Sequence, residues 1–431
     1  MSGPAVPFGR AMREAHFSFS PKYTPLNHGS YGTYPKSVGA VRAALVAEAE
    51  SAPDPFIALS WAGRLREPRA LVAAELHCDA DDLVLVPNAT TGSDTVLKNL
   101  RWEAGDVVLV YDLVYEALRA GLAWLEENFD VRVHVVHVPF PAPDDDVVDA
   151  MVSAAREIKN NGERLRLAVV DTIISMPGLR VPFEKLVPAL QAEGALVLVD
   201  GAHGIGQIDL DIGALNPDFM VTNLHKWFFV PRGCAALYVA RRHHGIIRTT
   251  LPTAAAFRRR GTRPEDEGPS ALGALFNFIA SVDNTNFLTV QAAIDFRNQV
   301  CGGEQVIRSY CRTVARQGAE AAAALLGTEI MSSERSCMLD CALINVRMPL
   351  ELADGNDSDG KIDPASATKL VMWIKRTGVE ESGCYLQTCL YRGAFWWRLS
   401  GMIYVEVDDF RYGADVLKGL CERAKKGEYL S

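Results

Sequence analysis

The fold is decided by two stretches of sequence, LVLVDGAHG at residues 196–204 and FMVTNLHKW at residues 219–227. Each stretch begins with a short apolar run, which predicts a β-strand that is buried on both faces. Each run then gives way to small and ionisable residues where the predicted strand ends. In open α/β sheets, ligands bind beyond the carboxyl ends of the strands. The two stretches therefore predict a buried sheet with polar groups along its carboxyl edge.

Similar apolar runs recur on both sides of these stretches. They predict further strands at residues 83–86, 107–111, 131–138, 167–170 and 235–239, and helices at 93–100, 115–128, 145–160 and 183–193. Apolar strands that alternate with amphipathic helices are typical of a mostly parallel central sheet with helices on both faces. The sequence therefore predicts the α/β fold class.

We expect four parts along the chain. An N-terminal arm at residues 1–35 is rich in Pro, Tyr, Gly and Asn, and a large α/β domain covers residues 36–280. Interdomain helices follow at residues 281–326, and a small C-terminal α+β domain covers residues 327–431. The small domain is predicted to contain strands at 339–348, 385–391 and 396–407 and a closing helix at 411–426.

Composition argues against several classes of protein. The 431 residues carry 44 Lys and Arg against 53 Asp and Glu, and a net charge of −9 does not suit a nucleic-acid partner. No apolar run reaches the roughly 18 residues that predict a membrane span, so no membrane partner is expected. The nine cysteines form no Cys-x-x-Cys pair, so we expect neither a disulfide scaffold nor a metal site. The simplest location is the reducing cytoplasm.

Two ionisable residues stand at predicted strand ends. Asp200 follows the strand at 196–199, and Lys226 lies between His225 and an aromatic run after the strand at 219–221. A buried carboxylate needs a partner, and a lysine in an apolar setting has a lowered pKa and acts as a nucleophilic amine. The pair suits pyridoxal phosphate, whose aldehyde binds a lysine and whose ring nitrogen binds an acid. Alternatively, Asp200 caps the following turn.

A phosphate site is predicted at residues 85–93, LVPNATTGS. The strand ends at Pro87, and a small, hydroxyl-rich turn leads into a helix. Backbone N–H groups at a helix N-terminus, together with Thr hydroxyls, bind anions without an arginine. Read alone, the same residues form an ordinary helix cap. Together with Asp200 and Lys226, they complete a cofactor site at the strand ends of one sheet.

These motifs resemble the signature segments of the class V aminotransferase family, whose members are fold type I pyridoxal phosphate enzymes. The resemblance is carried by NATT at 88–91, VDGAHG at 199–204, NLHKW at 223–227 and RLS at 398–400. It spans nearly the whole chain. Within the family it is strongest toward a fungal branch that includes a C–S lyase of the ergothioneine pathway and a loline-pathway enzyme, with isopenicillin N epimerase also similar.

The resemblance implies a cofactor-binding role for the residues that match. Lys226 would form the Schiff base, Asp200 would bind the ring nitrogen, and His203 would lie beside the ring oxygen. The phosphate would be held by Ala89, Thr90, Asn223 and His225. In this family the other subunit often contributes a further phosphate contact, and the matching residue here is Ser281. The resemblance therefore implies a homodimer with a shared active site.

Substrate contacts are implied in the same way. Arg398 would bind the substrate α-carboxylate through its planar fork, and Asn27 would also contact the substrate. Tyr115 matches an aromatic position beside the cofactor, where it would act as a general acid. Alternatively, Arg398 is a surface residue of its strand, and Tyr115 is simply the first residue of an amphipathic helix.

The sequence also departs from the family. Desulfurases use a mobile nucleophilic cysteine, whereas Cys384 and Cys389 lie in an apolar strand pattern and are expected to be core thiols. The fungal lyases carry a Ser-His-Gly-like loop where this chain has Ala254-Ala255-Ala256, and a Gln where it has His203. The identity of the substrate therefore does not carry over.

These observations predict a cytoplasmic, homodimeric pyridoxal phosphate lyase of amino-acid metabolism. Lys226 would remove the Cα proton of a cysteine-derived amino acid, and β-elimination would cleave its C–S bond. The alternative is a secondary-metabolism enzyme that forms a C–C bond, decarboxylates or epimerises at Cα. A cofactor-binding relic is disfavoured because the Lys, Asp, phosphate and Arg positions all hold competent residues.

Overall fold

We describe the fold from a computed structural model, which describes residues 3–253, 256–262, 268, 271–353 and 360–430. The chain forms two compact units. We call Gly32–Ile174 together with Val181–Phe296 the large unit, and Met1–Tyr31, Ser175–Arg180 and Arg297–Ser431 the small unit. The four domains predicted from the sequence stay a prediction. In the described ranges, no helix has both the length and the apolarity needed to cross a membrane.

Twelve strands are present in the described part of the chain. They are β1 (Leu83–Val86), β2 (Asp106–Tyr111), β3 (Arg132–Val136), β4 (Arg164–Asp171), β5 (Ile173–Ile174), β6 (Leu179–Arg180), β7 (Leu196–Asp200), β8 (Phe219–Thr222), β9 (Ala235–Val239), β10 (Leu343–Glu351), β11 (Thr388–Tyr391) and β12 (Ala394–Ser400).

The α-helices follow the same chain order. They are α1 (Arg10–His16), α2 (His28–Tyr31), α3 (Lys36–Ser51), α4 (Trp61–Arg64), α5 (Arg66–Glu75), α6 (Ala89–Asn99), α7 (Glu116–Phe129), α8 (Asp144–Asn160), α9 (Phe183–Ala192), α10 (Ile212–Leu215), α11 (Leu224–Trp227), α12 (Ala271–Phe276), α13 (Val290–Asp295), α14 (Glu304–Leu326), α15 (Ala367–Ser382) and α16 (Val407–Lys425). Single π-helical turns occur at Pro55–Ser60 and Phe296–Val300.

The large unit is built on a seven-stranded sheet. Its strand order is β1-β9-β8-β7-β4-β2-β3, and β9 runs antiparallel to both of its neighbours while the other pairs are parallel. Strands β1, β2, β8 and β9 are buried along their whole length because helices cover both faces. The predicted α/β fold with a mostly parallel sheet is therefore confirmed.

Helix α6 begins earlier than the sequence predicted, and this difference matters for the site. The helix was predicted from Ser93, but it begins at Ala89 because the Asn88 side chain accepts the backbone N–H of Thr91 at 2.8 Å. This is the usual geometry of an Asn cap. As a result, Ala89 and Thr90 belong to the first helical turn, whose N–H groups point toward the end of β1.

The small unit contains a three-stranded antiparallel sheet in the order β10-β12-β11. The sequence predicted a strand at 396–407, and that prediction is wrong beyond Ser400, where β12 ends. The following apolar residues are buried in a loop instead, and Gly401 packs against the backbone of Cys311. Helix α16 then begins at Val407, fixed by reciprocal capping between Glu406 and Asp409.

A buried acid stabilises the edge of the large unit. Asp218 precedes β8, and its carboxylate accepts hydrogen bonds from His243 at 2.6 Å, Gln191 at 3.0 Å and the backbone N–H of Val197 at 2.9 Å, with Arg242 also in contact. Burial raises the pKa of Asp218, but these hydrogen bonds outweigh burial and lower the pKa to about 2. The ionised form is therefore bound more favourably in the folded state than in the unfolded chain.

We predict that Asp218→Asn lowers the free energy of unfolding by about 1–2 kcal/mol at pH 7. The folded pKa lies below the value of about 3.9 in an unfolded chain, so the stabilisation is present above that value and is lost as the pH falls through 2. Urea unfolding at pH 7 and pH 3 should show the difference between wild type and variant shrinking at pH 3. Asp149→Asn, an exposed acid on α8, is the matched control. A difference that is constant with pH would contradict the assignment.

Candidate functional site

Asp200 is a buried carboxylate with one oxygen left open. It ends β7, and its Oδ1 accepts the backbone N–H of Ala202 at 3.0 Å. In the described part of the chain, its other oxygen has no hydrogen-bond donor. Burial raises the pKa of Asp200, while the Ala202 N–H and the neighbouring Lys226 oppose the increase. A buried acceptor of this kind fits a cationic ring nitrogen.

A second acid, which the sequence analysis missed, lies beside Asp200. Asp171 ends β4 and stands opposite Asp200 in the parallel register of β4 and β7. Its Oδ2 accepts from the Tyr111 hydroxyl at 2.5 Å, and its own N–H donates to that hydroxyl at 2.6 Å. Burial, followed by the charge of Asp200, raises the pKa of Asp171 well above its ordinary value. The two neighbouring acids therefore both have raised pKa values, and burial is the main cause for each.

The sequence alone contains a pattern from which the pairing of Tyr111 with Asp171 could have been predicted. The predicted strands at 107–111 and 167–170 end at or just before Tyr111 and Asp171, and parallel strands bring such ends to one edge of the sheet. The signal was missed because a Tyr at a strand end is usually core.

Lys226 lies in the short helix α11, directly after β8, and contacts His203. Lys226 Nζ is 3.0 Å from His203 Nε2, and the Trp227 indole N–H donates to His203 Nδ1 at 3.2 Å. An indole N–H can only donate, so Nδ1 is the acceptor and the imidazole carries a hydrogen on Nε2. That hydrogen points at Lys226, whose amine must then accept it. The network therefore favours the neutral, nucleophilic amine of Lys226.

Two glycines allow the backbone around Lys226 to be packed closely. Gly32 has φ +63°, and a Cβ there would lie 1.9 Å from the carbonyl oxygen of His225. Gly206 has φ +79°, and a Cβ there would lie 2.6 Å from the carbonyl oxygen of Trp227. Only glycine, which has no Cβ, readily adopts a positive φ while another backbone atom lies this close. The two contacts fix the helix that carries the lysine.

The residues predicted to hold a phosphate also meet in the large unit. The backbone N–H of Ala89 donates to Asn223 Oδ1 at 2.9 Å, so Asn223 joins the end of β8 to the first turn of α6. Thr90 is exposed in that turn. His225 Nδ1 lies 2.9 Å from the Cys234 carbonyl oxygen, to which it donates, and burial lowers the pKa of His225 to about 4. Because the N–H groups of Ala89 and Thr91 are already engaged, the turn offers the N–H and the hydroxyl of Thr90, which suit an anion.

Tyr115 and Ser281 were also predicted to contribute to the site. Tyr115 immediately precedes α7 and is 47% exposed, and Ser281 is exposed on a loop between α12 and α13. In the described residues, neither hydroxyl forms a hydrogen bond. Their roles at the cofactor stay a prediction.

In the small unit, Arg398 is a buried cation held by neutral oxygens. It is 1% exposed, and its Nη1 donates to the Ser175 carbonyl oxygen at 2.5 Å. Its Nη2 donates to Asn27 Oδ1 at 2.8 Å and to Ser30 Oγ at 2.9 Å. The structure thus brings together Arg398 and Asn27, as predicted, and adds Ser30 and Ser175.

The charge of Arg398 has no acidic partner in the described part of the chain. Burial lowers its pKa to about 10, so the guanidinium is still charged at neutral pH. A buried, uncompensated cation is costly unless it meets an anion. The cluster is therefore arranged to receive one, and the surface-residue alternative for Arg398 is wrong because the side chain is buried.

All nine cysteines lie in the described residues, and none forms a disulfide. Burial raises the pKa of Cys384 to about 12 and that of Cys389 to about 11. Thiols with such pKa values are poor nucleophiles at neutral pH because the thiolate is scarce.

Comparison with known proteins identifies the family of this chain. The family model "Aminotransferase class-V" matches residues 60–261. An L-cysteine desulfhydrase-like protein, lolT1 of Epichloe uncinata, is 34% identical, and the alignment covers 97% of this chain and 96% of the relative. The chain belongs to the class V aminotransferase family. Hercynylcysteine sulfoxide lyase of Schizosaccharomyces pombe is 30% identical, with 96% of this chain and 98% of the relative covered.

Solved structures of other proteins share the fold. The complex of the cystine C–S lyase C-DES with its product cysteine persulfide has a TM-score of 0.72 at 19% identity, and covers 92% of this chain and 98% of that chain. The fold is therefore fold type I, as predicted. Class V members use pyridoxal 5′-phosphate, so the predicted cofactor and the general class, a pyridoxal phosphate-dependent lyase of this family, are confirmed.

These residues fit the cofactor. Asp200 supplies a buried acid with an open oxygen, Lys226 supplies an amine in its nucleophilic form, and Thr90 in the first turn of α6 supplies an N–H and a hydroxyl. The roles of the individual residues stay a prediction.

We predict that His203→Leu slows the binding of pyridoxal phosphate to the apoenzyme about tenfold at pH 7, because the donor that favours the neutral amine of Lys226 is lost. His203→Gln keeps an N–H donor and should load at nearly the wild-type rate. The measurement is the absorbance change after mixing apoenzyme with cofactor, followed from pH 6 to pH 10. The rate deficit of the Leu variant should vanish at high pH, where lysine is neutral in any case. Equal binding rates for all three proteins at pH 7 would contradict the role assigned to His203.

Proposed function

We propose that the chain cleaves the C–S bond of a cysteine-derived amino acid by β-elimination. The observation that carries the proposal is Arg398, a buried guanidinium bound by neutral oxygens, which suits the carboxylate of an amino-acid substrate. The names of lolT1 and of hercynylcysteine sulfoxide lyase support a sulfur-containing substrate.

Each group has one task in the proposed reaction. When bound, pyridoxal phosphate supplies an electron sink that acidifies the Cα hydrogen. Lys226 takes this proton, and the electron pair released at Cα forms a Cα–Cβ double bond as the Cβ–S bond breaks. The sulfur leaves with the electron pair of that bond and accepts a proton from the Tyr115 hydroxyl.

The environment of the cysteines favours elimination over sulfur transfer. Transfer needs a thiolate that attacks the substrate sulfur and keeps it as a persulfide. Cys384 is buried, and the pKa values of Cys384 and Cys389 are raised by burial. The proposed sulfur product therefore leaves as a free thiol or related species, and the carbon product is an enamine that hydrolyses to a ketoacid and ammonia.

We predict that the holoenzyme releases ketoacid and ammonia in equal amounts from cystine or from an S-alkyl cysteine sulfoxide, and that Lys226→Ala abolishes both products. Tyr115→Phe should lower kcat about 100-fold for an S-alkyl cysteine, whose thiolate is a poor leaving group, and less for the sulfoxide, which leaves more readily. Coupled assays for ketoacid and ammonia measure these rates. Tyr412→Phe, at an exposed position of α16, is the control.

The alternative chemistries at Cα are outcomes of the same experiment. Reactions run in deuterium oxide report exchange at Cα by mass spectrometry. Exchange or epimerisation without ketoacid would contradict the lyase proposal and favour epimerisation. Loss of carbon dioxide would favour decarboxylation. The loop that motivated this alternative, Ala254-Ala255-Ala256, lies outside the described residues at 254 and 255.

We also propose that the protein is a homodimer. The large unit carries a cavity of about 270 Å³ lined largely by apolar residues, among them Phe56, Ile57 and Val282, and Ser281 lies on it. Close by along the chain, Leu59 is 82% exposed, and Val282 is itself 62% exposed. Exposed apolar groups concentrated in this way are typical of a protein interface. A second copy of the chain would bury them and bring Ser281 to its partner's cofactor phosphate.

Val282→Glu should convert the dimer to a monomer, because a buried, unpaired charge opposes association. Sedimentation velocity at micromolar concentration measures the mass. Ser281→Ala should remain dimeric and lose cofactor affinity about fivefold, which corresponds to one hydrogen bond. A wild-type monomer, or an unchanged cofactor affinity in Ser281→Ala, would contradict the shared site.

A further inference from the structure

The orientation of Arg398 depends on a short segment of chain far away in sequence. Residues Ser175–Arg180 belong to the small unit, and two of them contact the arginine. The Ser175 carbonyl oxygen accepts from Nη1. The backbone of Gly178 lies against the aliphatic stem, since a Cβ at Gly178 would be 2.7 Å from Arg398 Cδ. The segment thus contacts the arginine both along its stem and at its fork.

One buried amide holds this segment in place. Asn345 is 2% exposed on β10 and stands opposite Arg398 in the register of β10 and β12. Its Oδ1 accepts the backbone N–H of Gly178 at 3.0 Å, and its Nδ2 donates to the Gly178 carbonyl oxygen at 2.7 Å. Both backbone groups of Gly178 are therefore satisfied by a single side chain.

We infer that Asn345 is a positioning residue that orients the Arg398 guanidinium for an α-carboxylate. This inference rests on the carboxylate-binding role proposed for Arg398. Without the two amide hydrogen bonds, Gly178 can move away from the arginine stem, and the Ser175 carbonyl moves with it. Nη1 then loses its fixed acceptor, and the fork is held only at Nη2, by Asn27 and Ser30. A bidentate interaction depends on the angle of the fork, so carboxylate binding should weaken.

Asn345→Leu is the direct test because leucine keeps the branched shape and removes both hydrogen bonds. The control is Thr388→Val, an equally buried polar residue on β11, the strand on the other side of β12, which makes no hydrogen bond to the segment. Gly178→Ala is a second variant that leaves Asn345 intact, and its added Cβ would press on the arginine stem and on Leu343 Cβ. If Asn345→Leu does not fold, Gly178→Ala tests the same positioning.

The probes are glycine, which has a carboxylate, and methylamine, which lacks one. Titration of the holoenzyme, followed by the absorbance of the bound cofactor, gives a Kd for each amine without any C–S cleavage. Asn345→Leu and Gly178→Ala should each raise the Kd of glycine about tenfold, a loss typical of one misplaced charge-assisted contact, and leave that of methylamine unchanged. With the cysteine-derived substrate, KM should rise while kcat stays within about twofold.

The Arg398→Ala variant distinguishes a failure of the Asn345 inference from a failure of the proposed carboxylate site. If Arg398→Ala weakens glycine binding and Asn345→Leu does not, the positioning role of Asn345 is wrong and the proposed role of Arg398 stands. If Arg398→Ala leaves glycine binding unchanged, the proposed carboxylate site itself is wrong, and the inference falls with it. If Asn345→Leu weakens glycine and methylamine equally, Asn345 has only a general structural role, and the inference is again overturned.

Discussion

Two carboxylates buried side by side are the constraint on which the large unit depends. The parallel register of β4 and β7 sets Asp171 opposite Asp200 at the carboxyl end of the sheet. Two negative charges at close range in a low dielectric repel strongly. The chain reduces this cost with the Tyr111 hydroxyl on one acid and a backbone N–H on the other. Asp200 keeps an oxygen without a donor in the described residues, so it is the acid that can accept from a cationic group.

The small unit contains a buried charge that stays ionised. Arg398 cannot lose its proton at neutral pH, since even the lowered pKa of about 10 keeps it charged. Its Nη1 and Nη2 groups donate to neutral oxygens of Asn27, Ser30 and Ser175, which orient the cation without cancelling its charge, whereas its buried Nε–H has no hydrogen-bond partner in the described residues. One unit thus holds an acid that can be neutralised, and the other holds a base that cannot.

Sequence patterns predicted the parts of this molecule that depend on local order. Apolar runs located the seven strands of the large sheet, and strand ends located Asp200 and Lys226 because chemistry at a parallel sheet concentrates there. The run at 396–407 was misleading because burial in a loop selects the same apolar residues as burial in a strand.

The contacts that refine the site join residues that are distant in sequence. Asn345 and Gly178 are 167 positions apart, and no periodic pattern in a sequence indicates that two such residues are in contact. His203 and Trp227 were visible as individual residues, but the direction of their hydrogen bond, which decides the protonation of the lysine, requires coordinates.

The way Arg398 is held has a consequence for which molecules can compete for it. Both hydrogens of Nη2 are engaged by Asn27 and Ser30, whereas the buried Nε–H has no hydrogen-bond partner in the described residues. A ligand at this arginine would therefore satisfy a donor that the protein leaves unpaired. An amide or ester oxygen would supply a neutral acceptor, whereas a carboxylate would supply a charge-assisted hydrogen bond of about twice the strength. Selection at this arginine would therefore depend on charge, and it would favour amino acids over their amides and esters without any steric barrier.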